Sequence, residues 1–506
     1  MPIEQESTDY EVILAGAGPV GLTLANLLGQ HGIRTLLLEK ELNPPEEPRA
    51  VALDDESLRI WQQCGLIAAI MPFVAQGEEG EVVFTYRSRT GKALFNMVQR
   101  GRPYGYARGN VFLFHRVLEI LRKGSGRFAS LDLRYGWTVE RYEQQNDGLL
   151  LFARNPEGVT HSFKASYLVA CDGGRSHLRN QLQIPLKGST FTEAWLIVDT
   201  YDPGLAGEPP REGVEVWCDK RCPTVCIPLP GGYRRWEFLL RKGLKSADAL
   251  DDDSIQALIA RHKAATESKI LRRLIHTYKG CVAEHYRKGR VFLAGDAAHL
   301  SPPFAGQGMA TGLRDAANLA WKLAHVLRGK ASTKLLDSYE RERRPHQVKM
   351  LRLARRMGRM MMPKLWLQEL LVVCFFTLAG RLTRVRTLME IRGSNITPVY
   401  KARGQQKGPR TGHYLLQPAI GRSGRFDDLL GADYCIISFD RPPQQAMPRE
   451  ELRAWEDRGA TFLRLEPDGE TSSAYQAFHH WLGDCRRRLL IVRPDRFILE
   501  DRNLPD

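Results

Sequence analysis

A short strand-turn-helix pattern near the N-terminus constrains the fold of this chain more than any other feature. The apolar run at residues 12–15 stops at Gly16, and Gly16, Gly18 and Gly21 have the spacing Gly-x-Gly-x-x-Gly. In that spacing the first glycine permits a tight turn, the second lets the backbone approach a phosphate, and the third allows close packing of helix on strand. The sequence therefore predicts a Rossmann-type unit that holds the pyrophosphate of a dinucleotide.

The residues that follow the glycines complete this unit. Residues 22–30 are predicted to form an apolar helix, whose N-terminal amides and dipole favour phosphate charge. Residues 35–38 form a second buried strand, and Glu39 closes it 23 residues after Gly16. A carboxylate at that position accepts hydrogen bonds from ribose hydroxyls, so Glu39 is predicted to hold the adenosine end of the ligand.

Two later segments each pair a buried strand with a glycine and an aspartate. The apolar run at residues 166–171 is followed by Asp172 and a glycine. The run at residues 290–294 is followed by Gly295 and Asp296. An isolated Asp-Gly pair is usually a turn. The three segments together, however, resemble the flavoprotein aromatic hydroxylases, the single-component FAD monooxygenases that put one oxygen atom onto a phenol.

This resemblance implies FAD as the bound cofactor and NADH or NADPH as the co-substrate. The family's equivalent of Asp172 touches both FAD and the approach path of the nicotinamide. Its equivalent of Asp296 hydrogen-bonds the ribityl hydroxyls of the flavin side chain. The sequence shows one dinucleotide-binding unit, so the nicotinamide is expected to bind transiently.

A glycine-rich loop at residues 302–309 is predicted to run past the flavin ring, where glycines remove side chains that would block it. The helix predicted to begin near Ala310 would aim its positive end at the pyrimidine edge of the ring. The family usually reads Gly-Gln-Gly-x-Asn here, and this chain has Ala310 where that asparagine stands. Flavin binding is expected to survive, with redox tuning or ring mobility that differs from the family norm.

The cofactor contacts implied by the resemblance are spread over all of these segments. They are Gly16, Gly18, Pro19, Val20, Gly21, Glu39, Lys40, Arg49, Arg116, Asp172, Gly295, Asp296, Pro303, Gly306, Gln307, Gly308 and Met309. For Arg49 and Arg116 an ordinary surface position is the alternative.

The substrate pocket is predicted from the residue pattern at 185–285. Apolar and alternating runs with aromatic residues there predict antiparallel strands. In similar proteins such a sheet covers the flavin and lines the pocket. Trp217, Arg221 and Trp236 are therefore predicted pocket residues, although a tryptophan in a strand is more often part of the core.

Two histidines, His115 and His299, are the candidate catalytic residues, because an oriented histidine can take a phenolic proton near neutral pH. The nine cysteines form no Cys-x-x-Cys pair, so no metal site is predicted and free thiols in a reducing cytosol are expected. The polar, acidic N-terminus argues against a signal peptide, and a cytoplasmic location is expected.

The length of 506 residues exceeds what one hydrophobic core usually serves. The predicted class is α/β, with a Rossmann-type FAD-binding domain interleaved with an antiparallel-sheet substrate domain and followed by a thioredoxin-like tail. The expected boundaries are 1–184 and 286–400 for the FAD-binding domain with a helical extension, 185–285 for the substrate domain and 405–506 for the tail. Residues 488–496 resemble a strand of the tail in phenol and 3-hydroxyphenylpropionate hydroxylases. Without a Cys-x-x-Cys pair the tail is predicted to be structural or to contact a second copy in a homodimer.

The net charge of +15 is concentrated in one block, residues 341–410, which hold 17 lysines and arginines against three acids. The block contains an apolar run that is shorter than the ~20 residues a membrane-spanning helix needs. One interpretation is a buried helix flanked by solvated arginines. The other is a cationic surface for anionic lipid or for an acidic, greasy substrate. Nucleic acid is not expected, since no recognisable binding module accompanies the charge.

The resemblance is closest to the 3-(3-hydroxyphenyl)propionate hydroxylase branch, on the strength of residues 48–59 and 318–324. It implies hydroxylation of a phenolic ring, ortho to the hydroxyl, through a flavin C4a-hydroperoxide formed from O2 and FAD reduced by NAD(P)H. One alternative is a tailoring oxygenase that acts on a larger polycyclic or alkyl-aromatic product at a membrane surface. Another is a membrane-bound or scaffolding protein that keeps flavin only structurally.

Overall fold

A computed structural model describes residues 3–43, 50–75, 82–206, 213–241, 251–262, 268–392, 396–400, 408–421, 424–439 and 441–504. The strands are β1 (Ile3–Ala15), β2 (Thr35–Glu39), β3 (Ala52–Asp54), β4 (Val74–Ala75), β5 (Val82–Arg87), β6 (Ala93–Gln99), β7 (Gly109–Phe112), β8 (Leu131–Tyr135), β9 (Thr138–Gln144), β10 (Leu149–Arg154), β11 (Thr160–Ala170), β12 (Leu186–Tyr201), β13 (Val214–Trp217), β14 (Thr224–Pro228), β15 (Tyr233–Leu240), β16 (Lys269–Ala283), β17 (Arg287–Lys288), β18 (Val291–Leu293), β19 (His299–Leu300), β20 (Ala419–Ile420), β21 (Gly424–Arg425), β22 (Cys435–Ser438), β23 (Thr461–Arg464), β24 (Arg488–Val492) and β25 (Ile498–Asn503). The helices are α1 (Pro19–Gln30), α2 (Asp55–Gln63), α3 (Ile67–Ile70), α4 (Phe114–Ser125), α5 (His177–Gln181), α6 (Asp252–Ala260), α7 (Gly308–Leu327), α8 (Asp337–Met361), α9 (Trp366–Arg381), α10 (Thr383–Arg392), α11 (Pro443–Ala446), α12 (Arg449–Glu456) and α13 (Ser472–Leu482).

The first sheet has the predicted parallel core. Its order is β17-β18-β11-β1-β2-β8, and β1 pairs in parallel with both β2 and β11. The apolar runs of these strands are buried on both faces, as parallel strands require, and α1 packs beside them against α4 and α7. Because the carboxyl ends of parallel strands meet at one edge, Ala15, Glu39, Ala170 and Leu293 end side by side. The predicted α/β class is confirmed.

The second sheet is mainly antiparallel, with the order β19-β16-β12-β15-β14-β13-β5-β6. The strands from β12 to β16 follow the expectation for residues 185–285. The hairpin of β5 and β6 also joins this sheet, by parallel pairing of β5 with β13, whereas the sequence placed it in the FAD-binding domain. Its side chains Tyr86 and Phe95 are buried in the same hydrophobic core as Trp195. Burial of these apolar side chains stabilises the pairing of β5 with β13. We propose the remaining domain boundaries as they were expected above.

The tail contains a four-stranded sheet with the order β23-β22-β24-β25. β22 is parallel to β23 and antiparallel to β24, and α13 packs against it through Ala474 and Phe478. Cys435 and Cys485 are both buried free thiols. The thioredoxin-like assignment of this tail stays a prediction.

Buried ion pairs join the tail to the first part of the chain. Arg59 donates to both carboxylate oxygens of Asp427, at 2.9 and 2.5 Å, and Arg496 donates to the same carboxylate at 3.3 Å. Lys322 and Arg493 both donate to Glu342. Breaking one partner of such a buried pair costs about 3–5 kcal/mol, so these contacts fix the tail against α2, α7 and α8.

The Asp427 contact predicts an acid-sensitive tail. Burial alone would raise the pKa of the Asp427 carboxyl, but Arg59 and Arg496 lower it below the usual 3.8. A carboxyl with a lowered pKa contributes stability above its unfolded-state value, and that stability is lost as the pH falls below it. We therefore expect the free energy of unfolding, measured by urea titration, to decrease as the pH falls below 3.8, by up to about 1.4 kcal/mol per pH unit. The variant Asp427→Asn should be less stable near pH 7 and show a flatter acid slope, and an unchanged slope would contradict the assignment.

Helices long and apolar enough to cross a bilayer on their own are not found in the described part of the chain. A pair of segments, Thr333–Met361 and Trp366–Arg381, passes that test of length and composition only when taken together across a bend of 106°.

Candidate cofactor site

The three glycine-containing segments meet at the carboxyl edge of the first sheet. A methyl group added to Gly16 would lie 2.5 Å from the carbonyl oxygen of Cys171, and one added to Gly295 would lie 2.9 Å from Cγ2 of Val20. Gly16 also has φ +105°, a conformation that L side chains rarely adopt. Glycine at both positions is therefore what allows the early segment to contact the two later ones.

An open cradle lies in front of the N-terminus of α1. Gly18 is the N-cap of the helix, Pro19 follows it, and no side chain caps the helix. A methyl group on Gly18 would meet nothing within 4 Å, whereas one on Gly21 would lie 2.0 Å from the carbonyl oxygen of Gly16. Gly21 is thus needed for packing, and Gly18 leaves space where helix amides can bind a phosphate.

Glu39 links the end of β2 to the glycine loop. Its Oε2 accepts a hydrogen bond from the backbone N–H of Ala17 at 2.7 Å, and its Oε1 accepts one from Glu41 at 3.0 Å. Each carboxylate oxygen has a second lone pair, so a ribose hydroxyl could still bind. The Lys40 side chain is 69% exposed and pairs with Glu41 at 3.5 Å. Arg49 lies outside the described residues.

Two aspartates offer acceptor oxygens at this edge. Oδ2 of Asp172 accepts from the backbone N–H of Leu178 at 3.2 Å, while its buried Oδ1 has no hydrogen-bond partner among the described residues. Asp296 is exposed, although the residues on both sides of it, from Val291 to His299, are buried. The open cradle at Gly18, the buried acceptor of Asp172 and the accessible carboxylate of Asp296 fit an extended dinucleotide such as FAD.

Replacing Asp296 by alanine is expected to weaken FAD binding by about tenfold to a hundredfold, because ribityl hydroxyls would lose an acceptor worth about 1–3 kcal/mol. The fold should stay intact, since the side chain is exposed. Titration of the apoprotein with FAD measures the change, and Asp337→Ala, which removes an acid 56% exposed on α8, is the control. An unchanged dissociation constant for Asp296→Ala would remove the assignment.

Asp315 of α7 is the hydrogen-bonding centre beneath this edge. Its Oδ2 accepts from the backbone N–H of Gly295 at 3.1 Å and lies 2.6 Å from Nε2 of His299, and its Oδ1 accepts from Nε of Arg343 at 2.8 Å. Burial alone would raise the pKa of the Asp315 carboxyl, but His299 and Arg343 lower it. The His299 side chain is fully enclosed, at 0% exposure, so this geometry favours a structural role over the predicted catalytic one.

The sequence reading missed Asp315 and Arg343. The available signal was an Arg-Asp pair, Arg314 and Asp315, inside an otherwise apolar helix face. Charged residues that are fully buried almost always form ion pairs. Arg314 and Asp315 therefore indicated that oppositely charged partners exist elsewhere in the chain, but the sequence does not identify those partners.

The loop predicted to pass the flavin is a short turn followed directly by a helix. A 3-10 turn at Pro303–Ala305 leads to Gly306 with φ +62°, and α7 begins at Gly308, two residues before the predicted start. A methyl group on Gly308 would meet nothing within 4 Å. Ala310 is buried at 1% exposure in the first turn of α7, so an asparagine there would also be buried.

A charged network that the sequence reading missed holds this loop from below. Nη1 of Arg314 donates to Oε1 of Gln307 at 3.1 Å, and its Nε donates to Glu56 at 2.6 Å. Arg314 also donates to Asp54, the N-cap of α2. Met309, the last predicted contact in the loop, packs half-buried against the core of the first sheet.

The two predicted residues of α4 lie at different exposures. The side chain of Arg116 is 52% exposed and lies 3.9 Å from Glu119, so the structure gives it the surface position weighed as the alternative. His115 is half-buried, and its ring lies 6.4 Å from that of Tyr233 in the second sheet.

The two predicted pocket tryptophans lie on the far face of the second sheet. Trp217 and Trp236 stack at 6.2 Å and pack with His262 in the core beneath α6. Neighbouring strand residues point to opposite faces, and Val216 belongs to the core that contains Phe304 of the flavin loop. The prediction that both line the pocket is therefore corrected to the core alternative. Arg221 is exposed in the turn after β13.

The face of the second sheet that meets the flavin loop has a different set of side chains. Rings of Trp195 and Tyr278 lie 5.8 and 6.4 Å from that of Phe304. Buried charges accompany them, because Nε of Arg235 donates to Asp199 at 2.8 Å on this face. Strand alternation was part of the available signal, since Arg235 is the neighbour of Trp236 in β15 and must point to the opposite face. These residues place an aromatic face and a buried ion pair against the loop.

Comparison with known proteins agrees with this geometry. Residues 9–354 match the family described as an FAD binding domain, and residues 412–502 match the HcaD C-terminal domain. A 3-(3-hydroxy-phenyl)propionate/3-hydroxycinnamic acid hydroxylase 2 of Burkholderia vietnamiensis (strain G4 / LMG 22486) is 34% identical, over 96% of this chain and 92% of its own. The corresponding hydroxylase of Klebsiella pneumoniae (strain 342) is 32% identical, over 96% and 91%.

Solved structures share the fold over three quarters of this chain or more. The flavin-dependent monooxygenase PieE, in complex with FAD and substrate, has a TM-score of 0.80 at 20% identity, covering 98% of this chain and 96% of its own. The p-nitrophenol 4-monooxygenase PnpA from Pseudomonas putida DLL-E4 has a TM-score of 0.69 at 25% identity, covering 77% and 98%.

Proposed function

The chain belongs to the FAD-binding family that includes the 3-(3-hydroxy-phenyl)propionate/3-hydroxycinnamic acid hydroxylases, and on that premise we propose that it hydroxylates a phenolic ring ortho to the existing hydroxyl. It is a flavin-dependent monooxygenase with FAD as its cofactor, and NAD(P)H is the co-substrate typical of its family. The observation that carries the proposed reaction is the aromatic, partly charged sheet face that meets the flavin loop at Phe304.

The residues of this chain would hold the cofactor at three places. The amides at Gly18 would bind the pyrophosphate, the Asp296 carboxylate would accept from the ribityl hydroxyls, and the N-terminus of α7 at Gly308 would face the ring. Asp315 and Arg343 would keep Gly295 in position from below. Bound FAD would supply the redox chemistry, taking electrons from NAD(P)H and using them to activate O2.

The substrate side would orient the ring and exclude water. The rings of Trp195, Tyr278 and Phe304 pack against one another where the sheet meets the loop, and would form an apolar wall beside the substrate ring. Burial raises the pKa of the Glu237 carboxyl above its ordinary value, although Arg235 opposes the shift. Glu237 acts electrostatically on Tyr278, so a carboxyl with a raised pKa lies on the substrate side. We propose His115 and Glu237 as the two candidate acceptors of the phenolic proton, and retain no catalytic role for His299.

A substrate-dependent oxidation screen tests the reaction. Purified holoenzyme is mixed with NADH or NADPH and a panel of phenolic acids, and flavin bleaching, cofactor oxidation and incorporation of oxygen-18 from O2 are followed. We expect a phenolic acid to accelerate bleaching and to gain one labelled oxygen atom. Bleaching that no aromatic compound accelerates, with no label incorporated, would overturn the proposal and favour a flavin kept only for structure.

A larger polycyclic or alkyl-aromatic substrate is the second candidate, and the exposed apolar side of α9 favours it. Eight large apolar side chains between Leu365 and Leu382 are exposed next to the second sheet. Long-chain alkyl phenols added to the same screen separate the two candidates, because the preferred class is the one with the higher kcat/KM.

The partners and location of the protein also remain proposals. We propose peripheral membrane contact through residues 341–410, where 17 of the chain's basic residues lie, and a homodimer contact through the tail. Light scattering in solution tests the dimer. A cytoplasmic location is supported by the nine cysteines, all of which are free thiols.

A further inference from the structure

Helix α9 has an inner face that fixes it to the second sheet. Phe376 and Ala379 are each 2% exposed. The ring of Phe376 stacks on that of Tyr86 at 4.4 Å and lies 5.9 Å from that of Phe95. The backbone N–H of Lys220 donates to the carboxylate of Glu369 at 3.4 Å. The helix is therefore held in place by one of its sides.

The outer side of α9 and the residues next to its ends expose large apolar side chains. We call this set the α9 apolar face, and its members are Leu365, Trp366, Leu367, Leu370, Leu371, Phe375, Leu378 and Leu382, exposed by 45–65%. Soluble monomers rarely expose contiguous apolar patches larger than a few hundred Å² unless the patch binds a partner.

Basic residues surround the α9 apolar face. Lys364 precedes the helix and Arg381 ends it, both exposed, and Arg384 and Arg386 follow on α10. Lys364 also pairs with Glu193 at 2.9 Å, and Arg386 with Glu390 at 3.8 Å. Since the surrounding block has far more basic than acidic residues, the partner that matches it is apolar in the middle and anionic at its edge.

We propose that the α9 apolar face docks in the plane of an anionic lipid bilayer, with its leucines below the headgroups and its basic ends at the phosphates. A helix of 16 residues is about 24 Å long, which suits a helix that lies in the interface. Pairing of two copies would bring the basic ends of both helices together, a like-charge arrangement that costs energy. This inference deepens the peripheral contact proposed above, and vesicle binding can be measured without turnover.

The test uses holoenzyme and vesicles of defined lipid. Flotation with phosphatidylcholine vesicles containing phosphatidylglycerol should recover the protein, and vesicles of phosphatidylcholine alone should recover several times less. Of the nine tryptophans in the chain, Trp366 is the exposed one. Brominated lipids should therefore quench the Trp366 part of the emission and leave the remainder. Absence of binding to anionic vesicles would overturn the proposal.

Paired variants separate lipid docking from a general loss of structure. The double variant Leu371→Ser/Phe375→Ser should abolish vesicle recovery, whereas Leu499→Ser, which changes a leucine 39% exposed in the tail, should not. Arg381→Gln and Arg384→Gln should each weaken binding by about fivefold, since a basic residue near an anionic surface contributes about 1 kcal/mol. All four proteins should retain FAD.

Two outcomes would contradict the choice of partner. Equal vesicle binding by the double variant and the Leu499→Ser control would show that the α9 apolar face is not the docking surface. A dimer in lipid-free solution that the double variant converts to a monomer would show that the face covers a second copy instead. Failure of hydroxylation in the oxidation screen would leave vesicle binding unchanged, so the two proposals fail separately.

Discussion

Substitution of Gly18 by valine is expected to leave the chain folded and to weaken FAD binding by about a hundredfold or more, because at least two charge-assisted hydrogen bonds of about 1.5–3 kcal/mol each would be lost. A branched side chain would fill the cradle in front of α1, where a methyl group meets no protein atom within 4 Å. The backbone at Gly18, with φ −71° and ψ 179°, is extended and suits valine. The substitution should therefore lower the affinity for FAD and leave the stability of the fold unchanged.

Two other variants make this result specific. Gly18→Ala should weaken FAD binding less than Gly18→Val, since the methyl group fills less of the cradle. Gly21→Val should destabilise the apoprotein, because even a methyl group there would lie 2.0 Å from the carbonyl oxygen of Gly16. Flavin fluorescence during titration measures affinity, and circular dichroism of the apoprotein measures folding. A well-folded Gly18→Val protein with unchanged affinity would show that the phosphates bind elsewhere.

Replacing Asp315 by alanine is expected to cost about 3–5 kcal/mol of stability, the usual effect of leaving a buried charge without its partner. Arg343 would lose its only carboxylate among the described residues and keep contacts to Thr311 and Tyr400. The backbone N–H of Gly295 would lose its acceptor as well. We therefore expect the Asp315→Ala protein to unfold at a lower temperature than the parent and to bind FAD more weakly.

The control for this variant is Asp484→Ala. Asp484 pairs with Arg486 on the surface, with both side chains more than half exposed, and such pairs contribute about 0–1 kcal/mol. Scanning calorimetry with and without FAD compares the two proteins. Equal unfolding temperatures for Asp315→Ala and the parent would contradict the role given to Asp315.

The parts of the fold that could be predicted from the sequence are those determined by short runs of consecutive residues. Gly16, Gly18 and Gly21 identify a turn because their spacing is itself the physical requirement. The apolar runs at residues 12–15, before the glycines, and 35–38, after them, are recognisable as buried strands without their partners. The α/β class and the family follow from such local patterns, and both are confirmed.

The features that were missed depend on contacts between distant residues. Asp315 and Arg343 are 28 positions apart, and neither neighbourhood reveals the other. Alternation places Trp236 and its neighbours in β15 on opposite faces, but which of these faces meets the flavin loop depends on how the sheet packs against the loop. The hairpin at residues 82–99 joins the second sheet through β13, a pairing that its own sequence does not indicate.

The contact between Arg59 and Asp427 spans 368 positions and has an evolutionary consequence. Loss of Asp427 leaves Arg59 and Arg496 buried without their shared carboxylate, and loss of Arg59 leaves Asp427 with Arg496 alone, so an intermediate with one substitution would be selected against. Positions 59 and 427 should therefore vary together among descendants of a common ancestor. A chimaeric gene that borrows its tail from a relative without an acid at position 427 should produce a working enzyme only when position 59 is exchanged with it.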